Sequence, residues 1–553
     1  MGLELFLIFR SGVASFGQGR TPSINNFEIP DSMLSSLLDN GRIFRIPTNI
    51  DFGAADNESV FQTGSFPNWA LCVQHGYLYE LPPDDRTRCS ECNSAGFHDV
   101  SRTEAIRFVR ACPEGHMDDI DWRGIVHLNK NKDCNITIYH WRSEGGSLKD
   151  VTIECDCTAQ ATLRDVYRST KLCTGRFPES GTSRSMHCDA EARVTLRGSS
   201  SLRIPEIISA ITIPRFASRL HIMLDTPQMR VVLALKSEWT KAELFKTLQE
   251  MDEEDPTLID PRVVDEINKN SDERIAGTIR EIKKFTKTKP KTIEEFRVQE
   301  FNDLTNAAEF GHPPDPTSEK VEFQVNKLDV RESVAFGSHR LRVAPVARLR
   351  VVMAQKGYRR LGTDHHVNKL VQTYYFDGSQ KWFPGVQQYG EGIFIDAKST
   401  IKVNSSDWEE KYATEPVIEN LPLFVWWHSL SHRIISALSI DSGYSSAAIR
   451  ESVYTVIDEK TRAISGGVLL YTTAPGGDGS LGGLISLVPD FETVFESAVR
   501  NLDFCSNDPL CSEVSVKTRG NNGAACYACM FLSETSCAHR NMYLDRNLLR
   551  SNL

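Results

Sequence analysis

The placement of cysteine constrains this chain more than any other feature. Nine of its 14 cysteines lie from Cys72 to Cys188, five lie from Cys505 to Cys537, and none lies between 189 and 504. Cysteines that act only as small hydrophobes have no reason to gather. Two clusters separated by a long gap predict two metal-bearing regions. The apolar run Leu5-Phe6-Leu7-Ile8-Phe9 sits between Glu4 and Arg10. It falls far short of the ~20 residues of a membrane span and lacks the parts of a signal peptide. The expected compartment is the cytoplasm, with no membrane partner. A reducing compartment disfavours disulfides, so spaced thiols there read as metal ligands.

Cys72-Val-Gln-His75 followed by Cys89-Ser-Glu-Cys92 has zinc-ribbon spacing, in which two short knuckles supply four tetrahedral S/N ligands. Cys155-Asp-Cys157 is too tight for two knuckles, but with Cys173 and Cys188 it is expected to close a second site. In the last cluster Cys511, Cys526, Cys529 and Cys537 are the expected ligands, with Cys505 the rival of Cys511. A redox role for Cys526 and Cys529 is disfavoured because three more thiols surround them and no thioredoxin-like βαβ pattern does. Closed thiolate sites leave no position for a catalytic water, so zinc here is expected to be structural. Cys112-Pro-Glu-Gly-His116 reads as a tight glycine turn that could also lend ligands. Cys134 has no partner at a useful spacing and is expected to be buried.

With 553 residues, 40% hydrophobic and 25% charged, the chain is long enough for several packed domains. The expected fold class is mixed α+β and multidomain. Residues 1–60 form an N-terminal segment and 61–235 a β-rich zinc region. Residues 236–318 are a charged helical insertion ending in a Pro-rich linker, and 319–553 an α/β domain closed by the last Cys cluster. A net charge of −10 argues against non-specific coating of nucleic acid. Any DNA contact would be local, and the most basic stretch, with Arg342, Arg348, Arg350, Lys356, Arg359 and Arg360, is the candidate phosphate surface. An Arg-decorated sheet face paired with acids is the competing reading. The run from Gly392 to Thr400 nearly matches a phosphate-binding loop, yet its Ile-Phe-Ile interior reads as a strand, and no other such motif is present. His428 and His432 share a helix face at i, i+4 spacing. Together with the loop Gly479–Gly483 they support an alternative reading as a phosphodiesterase or nuclease.

Several runs resemble one family. They include His428-Ser-Leu-Ser-His432, Ser442-Gly-Tyr-Ser-Ser446, Leu470-Tyr-Thr-Thr-Ala474, Asp508-Pro-Leu-Cys511, Ala525-Cys-Tyr-Ala-Cys529 and Asn541-Met-Tyr-Leu-Asp-Arg546. Cys112-Pro-Glu-Gly-His116 with Asp119 and Trp122, and Arg197-Gly-Ser-Ser-Ser-Leu-Arg-Ile-Pro205, extend the likeness to the N-terminal half. Together they are similar to the DrmB-like subunit of the DISARM bacterial phage-defence system, with its helicase-associated C-terminal domain. Residues 236–310 carry no motif of that family, and His75 stands where a second Cys is expected. The resemblance implies cysteine-bound zinc in the C-terminal domain. It also implies a non-catalytic accessory subunit that pairs with a large helicase subunit. The pair would engage invading DNA, double-stranded or with single-stranded ends.

Overall fold

The computed structural model describes residues 8–9, 27–46, 50–52, 63–64, 66–81, 89, 91–92, 103–128, 130, 133–169, 171–178, 187–202, 204–213, 219–254, 261–287, 292–312, 321–360, 368–369, 382–458, 461–473, 481–500 and 502–553. The fold is mixed α+β with several sheets, as the sequence patterns predict. The chain divides into two compact units. One holds Met1–Pro30, Gly41–Ile208 and Met353–Val386; the other holds Asp31–Asn40, Ser209–Val352 and Gln387–Leu553.

The first unit is built mainly from short antiparallel strands, with Arg42–Phe44 paired in parallel to Trp382–Pro384. One sheet runs, edge to edge, Gln160–Thr162, Val151–Glu154, Ile138–Ser143, Tyr77–Glu80, Trp69–Cys72 and Thr103–Ala105. A second runs Lys171–Leu172, Glu191–Leu196, Phe108–Ala111 and Met117–Asp118. Period-two alternation shows in Glu191–Val194, where Ala192 and Val194 are buried and Glu191 and Arg193 are exposed. The largest core of the unit gathers Trp69, Trp122, Tyr139, Ile153, Leu163 and Val166, with Trp69 stacked on Tyr139 at 5.9 Å between ring centres. The helix Leu163–Arg168 starts at a reciprocal Thr162–Asp165 capping box. A smaller core is itself largely sulfur: Ala70, Cys72, Tyr79, Cys89 and Cys92.

In the second unit, helices Arg219–Leu224, Pro227–Ala234, Lys241–Glu254, Pro261–Lys269 and Asp272–Lys287 enclose a core of their own around Leu220, Trp239, Leu244, Ile267 and Ile279. Their apolar residues recur at helical spacing, and the many charges face outward. The linker prolines Pro313, Pro314 and Pro316 lie outside the described residues. Strands His339–Arg359, Trp382–Asp396, Ile464–Thr472 and Ile449–Ile457 lie side by side in that order. The run beginning at Gly392 is strand as far as Asp396, with Gly392 and Ile393 registered on Tyr471 and Leu470 of its neighbour, and Ala397–Thr400 lie beyond the strand.

The helix Pro422–Asp441 organises this unit. Pro422 occupies its first turn, where a missing N–H costs nothing. Nearly every side chain from Pro422 to Leu438 is buried, the pattern of a helix wrapped on all sides. It packs on Ile449–Ile457, Ile464–Thr472, Phe491–Arg500 and Arg546–Ser551. Gly466 permits this approach: a Cβ there would lie 2.6 Å from the Trp427 indole nitrogen. Among the described residues no helix is long and apolar enough to cross a membrane.

Candidate metal centres

All 14 cysteines fall into tetrads whose ligand atoms lie within 4.8 Å of one another. Tetrahedral zinc with Zn–S bonds of about 2.3 Å places its sulfurs about 3.8 Å apart. The sulfur pairs here run from 3.4 to 3.7 Å and none is bonded as a disulfide. The spacing is that of thiolates arranged around one ion.

Cys72, His75, Cys89 and Cys92 come together. Cys72 ends its strand, and the chain reverses at once through Gly76, whose N–H bonds back to the Cys72 carbonyl at 2.8 Å. Gly76 has φ +63°, and a Cβ there would lie 2.8 Å from the Trp141 carbonyl, so the knuckle requires glycine. His75 turns Nδ1 toward Cys89 Sγ at 3.2 Å and Cys92 Sγ at 3.4 Å. Its Nε2 faces Glu91 at 3.7 Å, a carboxylate placed to orient a ligating imidazole.

The second expected site is corrected by the structure into two. Cys155 and Cys157 do not meet Cys173 and Cys188. They lie with Cys134 and His127, while Cys173 and Cys188 lie with Cys112 and His116. The cause is strand pairing. Cys173 and Cys188 flank the pair Lys171–Leu172 and Glu191–Leu196, and the latter also pairs with Phe108–Ala111, which leads into Cys112. The glycine turn after Cys112 exists, closed by Gly115 N–H on the Cys112 carbonyl, and it presents His116 Nδ1 3.4 Å from Cys112 Sγ. Cys134 is likewise no lone thiol: its sulfur lies 3.7 Å from that of Cys155. His127 escaped the sequence reading because nothing near it in the chain signals a ligand. Its Nδ1 donates to the Arg123 carbonyl at 2.9 Å, which leaves Nε2 as acceptor. That Nε2 is buried with no hydrogen-bond partner, as a metal-ligating nitrogen is before its ion is counted.

Near the C-terminus the tetrad is Cys505, Cys511, Cys526 and Cys529. Both rival thiols belong, and Cys537 does not; this corrects the expected set. Asp508 shapes the first loop, accepting from Cys505 N–H and Ser512 N–H at 3.0 Å each, and Arg546 holds it at 2.7 Å. Arg433, on the buried helix, donates to the Cys529 carbonyl at 2.8 Å. Burial pushes the Cys511 thiol up to about 11. Burial also raises Cys526, but hydrogen bonds from Asn507, the Ala528 backbone and neighbouring thiols overturn it and bring that thiol down to about 7. Burial drives Cys92, Cys155 and Cys173 up to about 12. Thiols crowded in this way stay protonated unless a cation joins them; a bound divalent ion reverses that preference. Sulfur-rich closed sets with one or no imidazole are the donor chemistry of structural zinc.

The expected phosphate surface largely dissolves. Arg342 is 2% exposed and grips Asp396 at 2.5 Å and Glu309 at 2.6 Å. Arg350 is 3% exposed, bonding Gln387 and Thr212. Arg360 is 4% exposed and donates to the Leu202 and Gly115 carbonyls, while Arg359 pairs with Glu206. Interleaved arginines on a strand faced acids and carbonyls inside the protein, so burial rather than phosphate accounts for them. Arg348 is exposed and lies over the Tyr389 ring, and Lys356 is half-buried. His428 and His432 are completely buried, so neither offers a face to a phosphodiester substrate. Gly479 and Ser480 of their expected loop lie outside the described residues.

Residues 6–204 match a family described as a domain of unknown function, DUF8724. Residues 430–530 match the MrfA Zn-binding domain, a range that contains the Cys505, Cys511, Cys526 and Cys529 set. The chain is 27% identical over 529 residues to the DISARM protein DrmB of Bacillus paralicheniformis, covering 88% of each chain. The family likeness read from the motifs thus extends over most of the molecule. The crystal structure of the DUF1998 helicase MrfA bound to DNA also matches, at 10% identity and a TM-score of 0.20, covering 39% of this chain and 24% of that one. The Zn-binding match and the donor sets together assign zinc as the cofactor.

Proposed function

We propose that this chain is a zinc-pinned accessory subunit of a phage-defence complex of the DISARM type, without a motor of its own, and that it pairs with a helicase subunit to hold invading DNA. The observation that carries the reading is the likeness to DrmB along 88% of both chains. The absence of a Walker-type loop from the sequence supports an accessory role: in the nearest match, the part from Gly392 to Asp396 is buried strand rather than a phosphate-cradling loop. In this reading the four thiolate-rich tetrads hold zinc and the protein works in the cytoplasm. Its segments 1–60, 61–235, 236–318 and 319–553 act as a terminal arm, a zinc region, a helical insertion and a helicase-associated domain. DNA contact is local and shared with the helicase, with Arg348 and Lys356 the cations of the basic stretch left for it.

The test is co-expression with the helicase subunit of a neighbouring defence gene cluster. The expected result is co-purification, and tighter binding of duplex DNA with single-stranded ends by the pair than by either chain alone. Co-purification with no gain in DNA affinity would reduce the role to scaffolding. Failure to co-purify would remove the proposal.

A further inference from the structure

One thiol is left over from the four sulfur-rich tetrads. Cys537 sits with His428, His432 and Glu451, and all four are buried. They come from three elements: the helix Pro422–Asp441, the strand Ile449–Ile457 and the loop that follows Cys529. His428 Nε2 lies 2.9 Å from Glu451 Oε1 and 3.3 Å from Cys537 Sγ, and His432 Nε2 lies 3.3 Å from the same Glu451 oxygen.

The proton inventory of this cluster does not close by itself. His428 Nδ1 contacts the Tyr543 carbonyl at 3.2 Å and His432 Nδ1 contacts the Met530 carbonyl at 2.7 Å. A carbonyl only accepts, so both Nδ1 atoms carry hydrogen and both neutral rings aim an Nε2 lone pair inward. The Glu451 carboxylate adds another acceptor. One extra proton on His428 would satisfy its contact with Glu451 and leave the His432 lone pair facing a carboxylate oxygen. Protonating both rings would set two imidazoliums 4.7 Å apart in a dry core. Among the described residues, the ion-pair partners of Glu451 are these two histidines. The ring of neighbouring His539 packs with its centre 5.2 Å from that of His428.

We propose that His428 Nε2, His432 Nε2, Glu451 Oε1 and Cys537 Sγ hold a further divalent transition-metal ion of the zinc class, sealed in the C-terminal core. Ligands about 2.0–2.3 Å from a tetrahedral ion lie about 3.3–3.8 Å from one another, close to the spacings found here. The surroundings are those of bound ligands. Each imidazole has its second nitrogen fixed by a carbonyl, Ser431 Oγ donates to the other Glu451 oxygen, and Asn541 N–H donates to Cys537 Sγ at 3.3 Å. Charge explains why this set differs from the others. Around a divalent ion, four thiolates leave a net charge of −2 and three thiolates with one neutral imidazole leave −1; one thiolate, one carboxylate and two neutral imidazoles leave none. A neutral centre is the kind a fully dry core can hold. With four protein ligands and no solvent access, the ion pins helix, strand and Cys loop together and presents no open position for substrate.

The test uses the full chain produced in cobalt-supplemented medium, with Co²⁺ alone as probe. His428→Gln/His432→Gln is expected to carry about one equivalent of metal less than the unaltered chain, with thiolate-to-cobalt absorption nearly unchanged. A folded variant with undiminished metal content would overturn the proposal. Should that variant not fold, cadmium-113 NMR of the unaltered, cadmium-loaded chain decides. A resonance well separated from the thiolate-rich group is expected, and a spectrum holding only thiolate-rich resonances would refute the site.

Discussion

In the unit containing Gly41–Ile208, cores are small, strands are two to six residues long, and thiols stand among the core residues: Cys72, Cys89 and Cys92 form most of one cluster. Around the helix Pro422–Asp441 the opposite holds. Trp408, Trp426, Trp427, Ile434, Val468 and Phe491 belong to one continuous apolar core. Short strands and long loops bury too little surface to offset their ordering entropy, so ions must supply what packing does not. A buried helix on a sheet already has its driving force, and its Cys-rich loops are attached to it. The same cofactor therefore has different duties: it makes the fold in one unit and fastens loops to a fold in the other.

Removing zinc breaks that comparison most severely. Binding at a structural zinc site contributes on the order of ten kcal/mol. Chelation is expected to abolish hydrogen-exchange protection in strands Trp69–Cys72, Phe108–Ala111 and Glu191–Leu196. Strands Ile464–Thr472 and Ile449–Ile457 should keep most of theirs. Equal loss in both units would erase the distinction.

The next effect runs the other way. Ile434→Ala opens a cavity in the fully packed C-terminal core and should cost about 2–5 kcal/mol in denaturant unfolding without lowering zinc content. Zinc lost in proportion to stability would mean that the core and the sites are one unit.

Asp119 sharpens the picture within the first unit. Burial pushes its carboxyl up to about 7, above the ~3.9 of an unfolded aspartate. The native state therefore holds the proton more tightly than the unfolded state. The stability that Asp119 itself contributes should be fully present below pH ~4 and be lost as pH rises to about 7, by about 1–3 kcal/mol, opposite in sign to the loss of thiolate-bound metal in acid. Asp119→Asn should flatten that slope, and an unchanged slope would assign it to another group. The smallest effect is expected for exposed Arg348→Ala, within about 0.5 kcal/mol in stability.

What could be read from the sequence followed the range of the interaction. The ribbon tetrad was legible because both its pairs are local and Gly76 marks the turn between strands. Cys155 and Cys157 were assigned the wrong partners because strand pairing, not spacing, decides which thiols meet. His127 and Glu451 carry no local signature at all: one follows a short helix, and the other sits inside a strand between Arg450 and Ser452. The arginine stripe misled for a related reason. Asp396 lies 54 residues from Arg342, and only the sheet brings them together. Charge along a strand shows what it carries and not what it faces.

The most direct test of the account is elemental analysis of the gently purified full chain, combined with titration of its thiols before and after chelation. Four or more zinc equivalents per chain are expected, with nearly all 14 thiols unreactive until the metal is withdrawn. A folded chain holding at most one zinc, with most thiols freely reactive, would contradict it.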